Sequence, residues 1–178
     1  MDLRQLYIGK YFVLTKKSVM LMIMALLLNA CGYHLRGAFE LPSGLKNIFL
    51  DGGSAQLQEQ FKKAMELSSI PLASSADQAG IVIRISDENN QRRVLSLAST
   101  GAANDFELDY RFNYEIVDAK NKVLMERQPL EIRREYYNDQ MAVIAKETEE
   151  QLIRNEMYQQ AVRTMVSRAK VAFERGSQ

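Results

Sequence analysis

Few side chains in this chain of 178 residues have the type and spacing to do chemistry. The single cysteine, Cys31, ends a stretch in which Lys16 and Lys17 precede an unbroken apolar run from Val19 to Leu28. A lone thiol has no partner for an internal disulfide, so it points to covalent modification or to a small buried side chain. The single histidine, His34, follows three residues later, far along the chain from the serines and carboxylates of the later segments. No Cys/His cluster has zinc spacing, no carboxylate series has calcium-loop spacing, and no dinucleotide fingerprint is present. The turn Asp51-Gly52-Gly53-Ser54 lacks the length and the Lys-Ser/Thr pair of a phosphate loop. Glu149 and Glu150 sit side by side and read as solvated helix surface. The pattern argues against an enzyme, and it implies no metal and no cofactor. What remains is cationic: Arg92 and Arg93, Arg133 and Arg134, and Lys146. Brought together, such groups bind phosphates through charge-assisted hydrogen bonds. Taken one by one, they are a solvated charged face. Adjacent strand residues point to opposite faces, so at most one of each arginine pair serves a given patch.

The run before Cys31 decides where the protein goes. Ten helical residues rise about 15 Å, half of a ~30 Å hydrocarbon core, too short to span a bilayer. The basic flank, the length and the small residue at the exit predict a secretory signal over residues 1–30. Residues 1–15 exceed what such a signal needs and read as an extension from an upstream start codon. Leu28-Asn29-Ala30-Cys31 resembles the bacterial lipobox, with Asn29 a departure from the small or aliphatic residue usual there. The resemblance implies that Cys31 becomes the lipidated first residue of the mature protein. One acyl chain anchors only marginally, whereas several hold firmly at roughly 0.8 kcal/mol per buried CH₂. Gly32 rather than Asp follows the cysteine, which by the bacterial sorting rule implies the outer membrane.

Residues 1–30 hold four basic side chains and one acidic, so the 23 basic and 22 acidic residues of the whole chain become 19 and 21, a net of −2. This balance is no polybasic footprint, so no nucleic-acid partner is expected. The remaining residues suffice for one domain with a core. Residues 31–44 read as a lipidated tether and 45–175 as that domain.

The hydrophobic pattern supplies the elements. Leu45 to Leu50 predicts a first strand. Ser54 is placed to cap a helix whose stripe is Leu57, Phe61, Ala64 and Met65, ending before Pro71. Ile81 to Ile85 predicts a second strand, Asp87 to Asn90 a turn, and Arg93 to Ser99 a third strand. Phe106, Leu108, Tyr110, Phe112, Tyr114 and Ile116 alternate with polar residues, which predicts a long antiparallel strand with one buried and one wet face. Asp118 to Lys122 reads as a hairpin turn. Val123 to Tyr136 returns as a strand whose Pro129 places it at an edge or a bulge. Asn138 is placed to cap a final helix from Asp139 to about Phe173. Its apolar face shifts by about a quarter turn between Met141, Ala145, Thr148, Leu152 and Met157, Ala161, Val162, Met165, Ala169, Phe173. Either the helix bends near Leu152 or its halves face different things. The fold class predicted is α+β, a two-layer sandwich in the order β-α-β-β-β-β-α, with two helices on a mixed sheet of four to five strands.

Three features together resemble the LPS-assembly lipoprotein (LptE/RlpB) family. They are the mature start Cys31-Gly32-Tyr33-His34-Leu35-Arg36-Gly37, the element order, and the run Asn138-Asp139-Gln140-Met141-Ala142 with Ala145-Lys146 and Glu156-Met157-Tyr158. The resemblance covers nearly the whole mature chain. It implies a heterodimer with a large outer-membrane β-barrel, which the lipoprotein plugs and helps to assemble, and direct binding of lipopolysaccharide. It places the domain on the periplasmic side and within that barrel. Lys146 matches a basic residue that the family uses near the start of its last helix. A second basic site, in the loop before the long strand, is not matched: Ser99-Thr100-Gly101 stands there, leaving Arg92 or Arg93 as substitutes. Asp139 stands where the family has proline. The alternative is a lipoprotein that scaffolds another outer-membrane machine, for barrel assembly or secretin placement, without binding lipid.

Overall fold

The computed structural model describes Pro42, residues 44–137 and residues 143–176; the signal, Cys31, most of the tether and Asn138 to Ala142 lie outside the described residues. The element order is β1 (Ile48–Asp51), α1 (Ala55–Leu67), a short 3-10 turn (Ala76–Gln78), β2 (Ile81–Leu97), β3 (Ala103–Val117), β4 (Val123–Tyr137) and α2 (Val143–Gly176). The four strands form one sheet in the order β1-β2-β3-β4. β1 is parallel to β2, and the other neighbours are antiparallel. This is the α+β arrangement of a four-stranded mixed sheet with two helices.

Local chemistry sets the start of the fold. Gly52 and Gly53 both take left-handed backbone, with φ of 83° and 81°. A Cβ on Gly52 would lie 2.8 Å from the Ile85 carbonyl oxygen, so the turn out of β1 needs glycine. Ser54 then caps α1, its Oγ accepting from the Leu57 amide. Leu57, Phe61 and Met65 form the buried stripe of α1, as their spacing predicts.

The stretch Asp87 to Asn90 is not a turn between two strands. β2 runs unbroken through it, with a register shift between Ser86 and Asn89. Only Asp87 takes left-handed backbone, at φ 55°. Aspartate tolerates that region better than most residues, so the chain bulges by one position and continues. The bulge changes which residues face the helices. Before it Ile83 and Ile85 stand beside Ile116 and Tyr114; after it Asn90, Arg92 and Val94 stand beside Tyr110, Leu108 and Phe106. It also delivers Glu88 to the start of α1. Ser54 donates to Glu88 through both its amide and its hydroxyl, and Tyr110 Oη donates to Glu88 Oε1 at 2.7 Å.

β3 is the centre of the sheet. Leu108, Tyr110, Phe112, Tyr114 and Ile116 are buried under the helices, and Phe106 packs at the cluster's margin. The alternation thus marks the core face, although the opposite face is not uniformly wet. Glu107 is buried there, its Oε1 2.7 Å from Arg93 Nη2. β4 lies at the sheet edge, a position that tolerates Pro129.

α2 runs antiparallel to β4. Tyr136 meets Glu150, Arg134 meets Gln160, and a Cβ on Gly176 would touch Leu124. Its later half buries Met157, Tyr158, Ala161, Val162, Met165, Val166, Ala169 and Ala172. The earlier half differs from the hydrophobic reading. Leu152 is exposed, while Glu150, Ile153 and Arg154 are half-buried against the sheet. The inward line therefore stays in phase from Glu150 through Arg154 to Met157. The apparent quarter-turn shift arises because the described inward positions before Met157 include the polar Glu150 and Arg154.

Candidate functional site

The cations singled out by sequence fall on two faces. Arg92 and Arg134 both pair with Leu108 in register, one on β2 and one on β4, and both face the helices. Arg93 and Arg133 point to the other face, where Arg93 pairs with Glu107 and Arg133 with Glu131. Arg92 and Arg93 therefore do not act on one patch.

Arg92 is held from three sides. Its Nη1 donates to Glu150 Oε2 at 3.0 Å. Its guanidinium lies 4.8 Å from the centroid of the Phe106 ring. That ring is stacked on Tyr136, with centroids 5.5 Å apart. Tyr136 Oη donates to the same Glu150 oxygen at 2.6 Å. On the other oxygen, Arg154 Nε and Nη2 donate at 2.8 and 2.6 Å. Arg154 Nη1 also donates to Asn90, whose amide donates to Tyr158 Oη at 2.8 Å. One carboxylate thus organises two arginines and a tyrosine, which is how a partly buried charge becomes tolerable.

The electrostatics follow from that geometry. Burial alone would raise the Glu150 carboxyl, but the hydrogen bonds from Tyr136, Arg154 and Arg92 outweigh it and hold it below the usual glutamate range. The hydrogen bond to Glu150 raises Arg92, and burial raises Tyr136. Two arginines against one glutamate leave a local surplus of positive charge. Guanidinium carries five donors in a fixed fork, so Arg92, about half exposed, keeps donors for an outside anion.

Lys146 lies in the opening turns of α2, four residues before Glu150. Four helical residues rise about 6 Å, so its backbone stands one turn above the carboxylate that holds Arg92. Its side chain lies outside what the structure describes. Arg134 donates to Gln160 and to its neighbour's carbonyl, at a lower level of the same layer boundary.

Sequence reading assigned Glu150 to solvated surface and did not single out Tyr136, Asn90 or Arg154 as functional. Arg92 and Glu150 are 58 residues apart, and only the register of β2 beside α2 joins them. The one local signal was Glu150 and Arg154 at helical i, i+4 spacing.

Elsewhere, a groove of about 420 Å³ runs between β1 and α1, lined by Ile48, Leu50, Phe61 and Leu72 and rimmed by Glu59 and Lys62. None of the predicted site residues lies there. Among the described residues, no group of His, Cys, Asp or Glu is arranged to hold a metal, and no helix is long and apolar enough to cross a membrane.

Comparison with known proteins agrees with this architecture. The chain is 23% identical over 151 residues to an LPS-assembly lipoprotein LptE of Photorhabdus laumondii, covering 84% of this chain and 82% of that one. It is 24% identical over 157 residues to the LPS-assembly lipoprotein LptE of Pectobacterium atrosepticum, with the same coverage. Among solved structures, it resembles lipoprotein B from Nitrosomonas europaea, with a TM-score of 0.63 at 23% identity, covering 78% of this chain and 90% of that one. It also resembles rare lipoprotein B from Shewanella oneidensis, with a TM-score of 0.61 at 22% identity, covering 74% and 99%. At these identities the structures bear on fold alone. The LptE family model, described as lipopolysaccharide-assembly, matches residues 44–169, well over half of the chain. The chain belongs to the LptE lipopolysaccharide-assembly family.

Proposed function

We propose that this protein is a lipid-anchored component of outer-membrane lipopolysaccharide assembly, tethered through Cys31, which plugs a β-barrel partner and binds lipopolysaccharide. It acts by binding and positioning, with no catalytic step of its own. The observation that carries the ligand reading is the restrained Arg92. Glu150, Tyr136 and Phe106 fix its guanidinium beneath the helical turn that bears Lys146. A lipid phosphate entering there meets one preset guanidinium and one lysine, the pairing that charge-assisted recognition needs. Arg93, turned to the other face and paired with Glu107, is left out of this contact. The family match and the relatives' names support the assembly role, and the lipobox-like Leu28-Asn29-Ala30-Cys31 after an apolar run supports the anchor.

The test is binding of lipopolysaccharide by the full chain, together with recovery of the barrel from solubilised outer membrane. Lys146→Glu is expected to lower lipopolysaccharide affinity about tenfold or more, as loss and reversal of one charge-assisted contact implies. Barrel recovery should be unchanged. Wild-type chain that retains neither lipopolysaccharide nor barrel would overturn the reading in favour of a scaffold for another envelope machine. Cys31→Ser should leave the membrane fraction wherever the barrel is absent.

A further inference from the structure

The groove between β1 and α1 lies at the edge of the sheet opposite β4 and takes no part in the arginine network. Its volume is about 420 Å³, with Ile48, Leu50, Phe61 and Leu72 in its lining. Of these Leu72 is the most exposed, at 38%. The backbone at Ile48 has no free edge for an added strand. Ile48 N donates to the Pro71 carbonyl at 3.3 Å, and the Ile48 carbonyl accepts from the Ala73 amide at 3.0 Å. Residues 71–73 therefore close the outer side of β1 at that level. An occupant of the groove enters by side chains, and the lining selects an apolar one.

The chain itself leads such a side chain to this place. Leu45 N donates to Pro42 O at 3.1 Å, and Gly44 takes φ of 101°, the left-handed backbone that the third residue of a type II turn needs. That hydrogen bond closes a reversal, so the residues before Pro42 head back along β1. Counting outward from the pair Pro42 and Leu45 sets Leu41 level with Lys46 and Phe39 level with Ile48. Three strand residues rise about 10 Å, the span from the turn to the level of Ile48. Residues opposite each other in antiparallel segments share a face. Ile48 and Leu50 pack into the core beneath the helices, and Phe49 packs into the smaller cluster on the other side. Phe39 thus falls on the helix side, where the groove lies, and Glu40 on the other. Phe39 is also the one aromatic residue between Gly37 and Pro42.

We infer that Phe39 of the tether seats in the groove between β1 and α1 and straps the tether to the edge of the domain. With Phe39 seated, eight residues lead back to Cys31, a reach of about 28 Å, in place of thirteen residues and about 45 Å from Gly44. The strap sets how far the domain stands from its anchor. The seating is independent of the lipopolysaccharide reading, and only its consequence draws on the anchor at Cys31.

The test is thiol labelling of the full chain. Leu72→Cys places a thiol at the groove, and Leu67→Cys places a control at the exposed end of α1. Maleimide labelling is followed at the new position by peptide mass, so the native Cys31 does not enter the reading. Adding Phe39→Ser is expected to speed labelling at position 72 about fivefold or more and to leave position 67 unchanged. The chain has no tryptophan, which allows a second measurement. Emission from Phe39→Trp should lie to the blue of emission from Ala38→Trp, and Leu72→Glu should move it back to the red. Equal labelling at position 72 with and without Phe39 overturns the inference, as does equal emission from the two tryptophan variants. Protection of position 72 that appears only as protein concentration rises gives the groove to a second copy. Protection that appears only with added barrel gives it to that partner. Either result overturns the strap, and lipopolysaccharide binding by the unmodified chain stands or falls separately.

Discussion

The two ends of the layer between sheet and helices are held by different physics. At the β1 end, Ile48, Leu57, Met65, Ile81, Ile83, Met165 and Ala169 are fully buried in one aliphatic cluster. At the far end, past the bulge in β2, the same boundary is closed by Arg92, Glu150, Arg154, Asn90, Tyr136 and Tyr158. Apolar burial is non-directional and scales with area, so the first end contributes stability without fixing any one polar group. Directed hydrogen bonds on one carboxylate stabilise less but fix geometry. A protein that must present a guanidinium to a ligand needs the second kind of contact at the presenting end and the first kind elsewhere.

The largest effect should come from the aliphatic end. Leu57→Ala removes a side chain with 0% exposure from the contact between α1 and the sheet. It should cost about 3 kcal/mol in urea unfolding, from lost transfer free energy and the cavity left behind. Its effect on lipopolysaccharide affinity, measured where the variant is still folded, should be small. A Leu57→Ala protein of unchanged stability would break the contrast between the ends.

How much of this was legible in sequence follows the same divide. The α1 stripe, its Ser54 cap, the alternation of β3 and the edge or bulge that Pro129 calls for all appear within one segment, and the structure reproduces them, with β4 at the edge. The polar end depends on partners far apart in sequence, and hydropathy assigns polar side chains to solvent by default. Glu150 was therefore placed outside, and Leu152 was counted in an apolar line although it faces outward. Glu107 was read as part of a wet face because its alternation is polar; Arg93 across the ladder makes its burial tolerable. Cys31 stood out as the single thiol after an apolar run and Lys146 as a cation, but the roles proposed for them came from resemblance rather than from periodicity.

A smaller effect, of a different kind, is expected at the polar end. Glu150→Gln keeps the shape but removes the charge that two arginines and Tyr136 address. The expected cost is about 2 kcal/mol, expressed as faster amide exchange in the first turns of α2 more than as global unfolding. The pH dependence has a definite sign. The folded Glu150 carboxyl titrates below the ordinary glutamate value of about 4.3, so its contribution is complete above that value. It is lost as pH falls through the lowered folded value. Amide protection in these turns, taken relative to the intrinsic exchange rate at each pH, should fall on acidification below about pH 4 in the wild type, and the Gln variant should lack that component. Equal acid sensitivity in both would show that Glu150 does not organise this end.

The smallest effect concerns the seam between the ends. Asp87 lets β2 bulge, and the bulge turns Asn90 and Arg92 towards the helices instead of away. Its exposed carboxylate also accepts from Asn113 Nδ2 at 2.8 Å and Arg127 Nη2 at 2.7 Å. Two substitutions separate backbone from side chain. Asp87→Gly removes both exposed contacts but keeps easy access to positive φ, so stability should change by only about 0.5 kcal/mol. Asp87→Ala removes the same contacts and adds the left-handed penalty, so it should cost about 1 kcal/mol more than glycine. If the two variants melt together, the carboxylate contacts and not the backbone turn hold the bulge. If alanine is worse, the parity of every residue beyond Asn89, and with it the placement of Arg92 over Phe106, rests on one backbone angle.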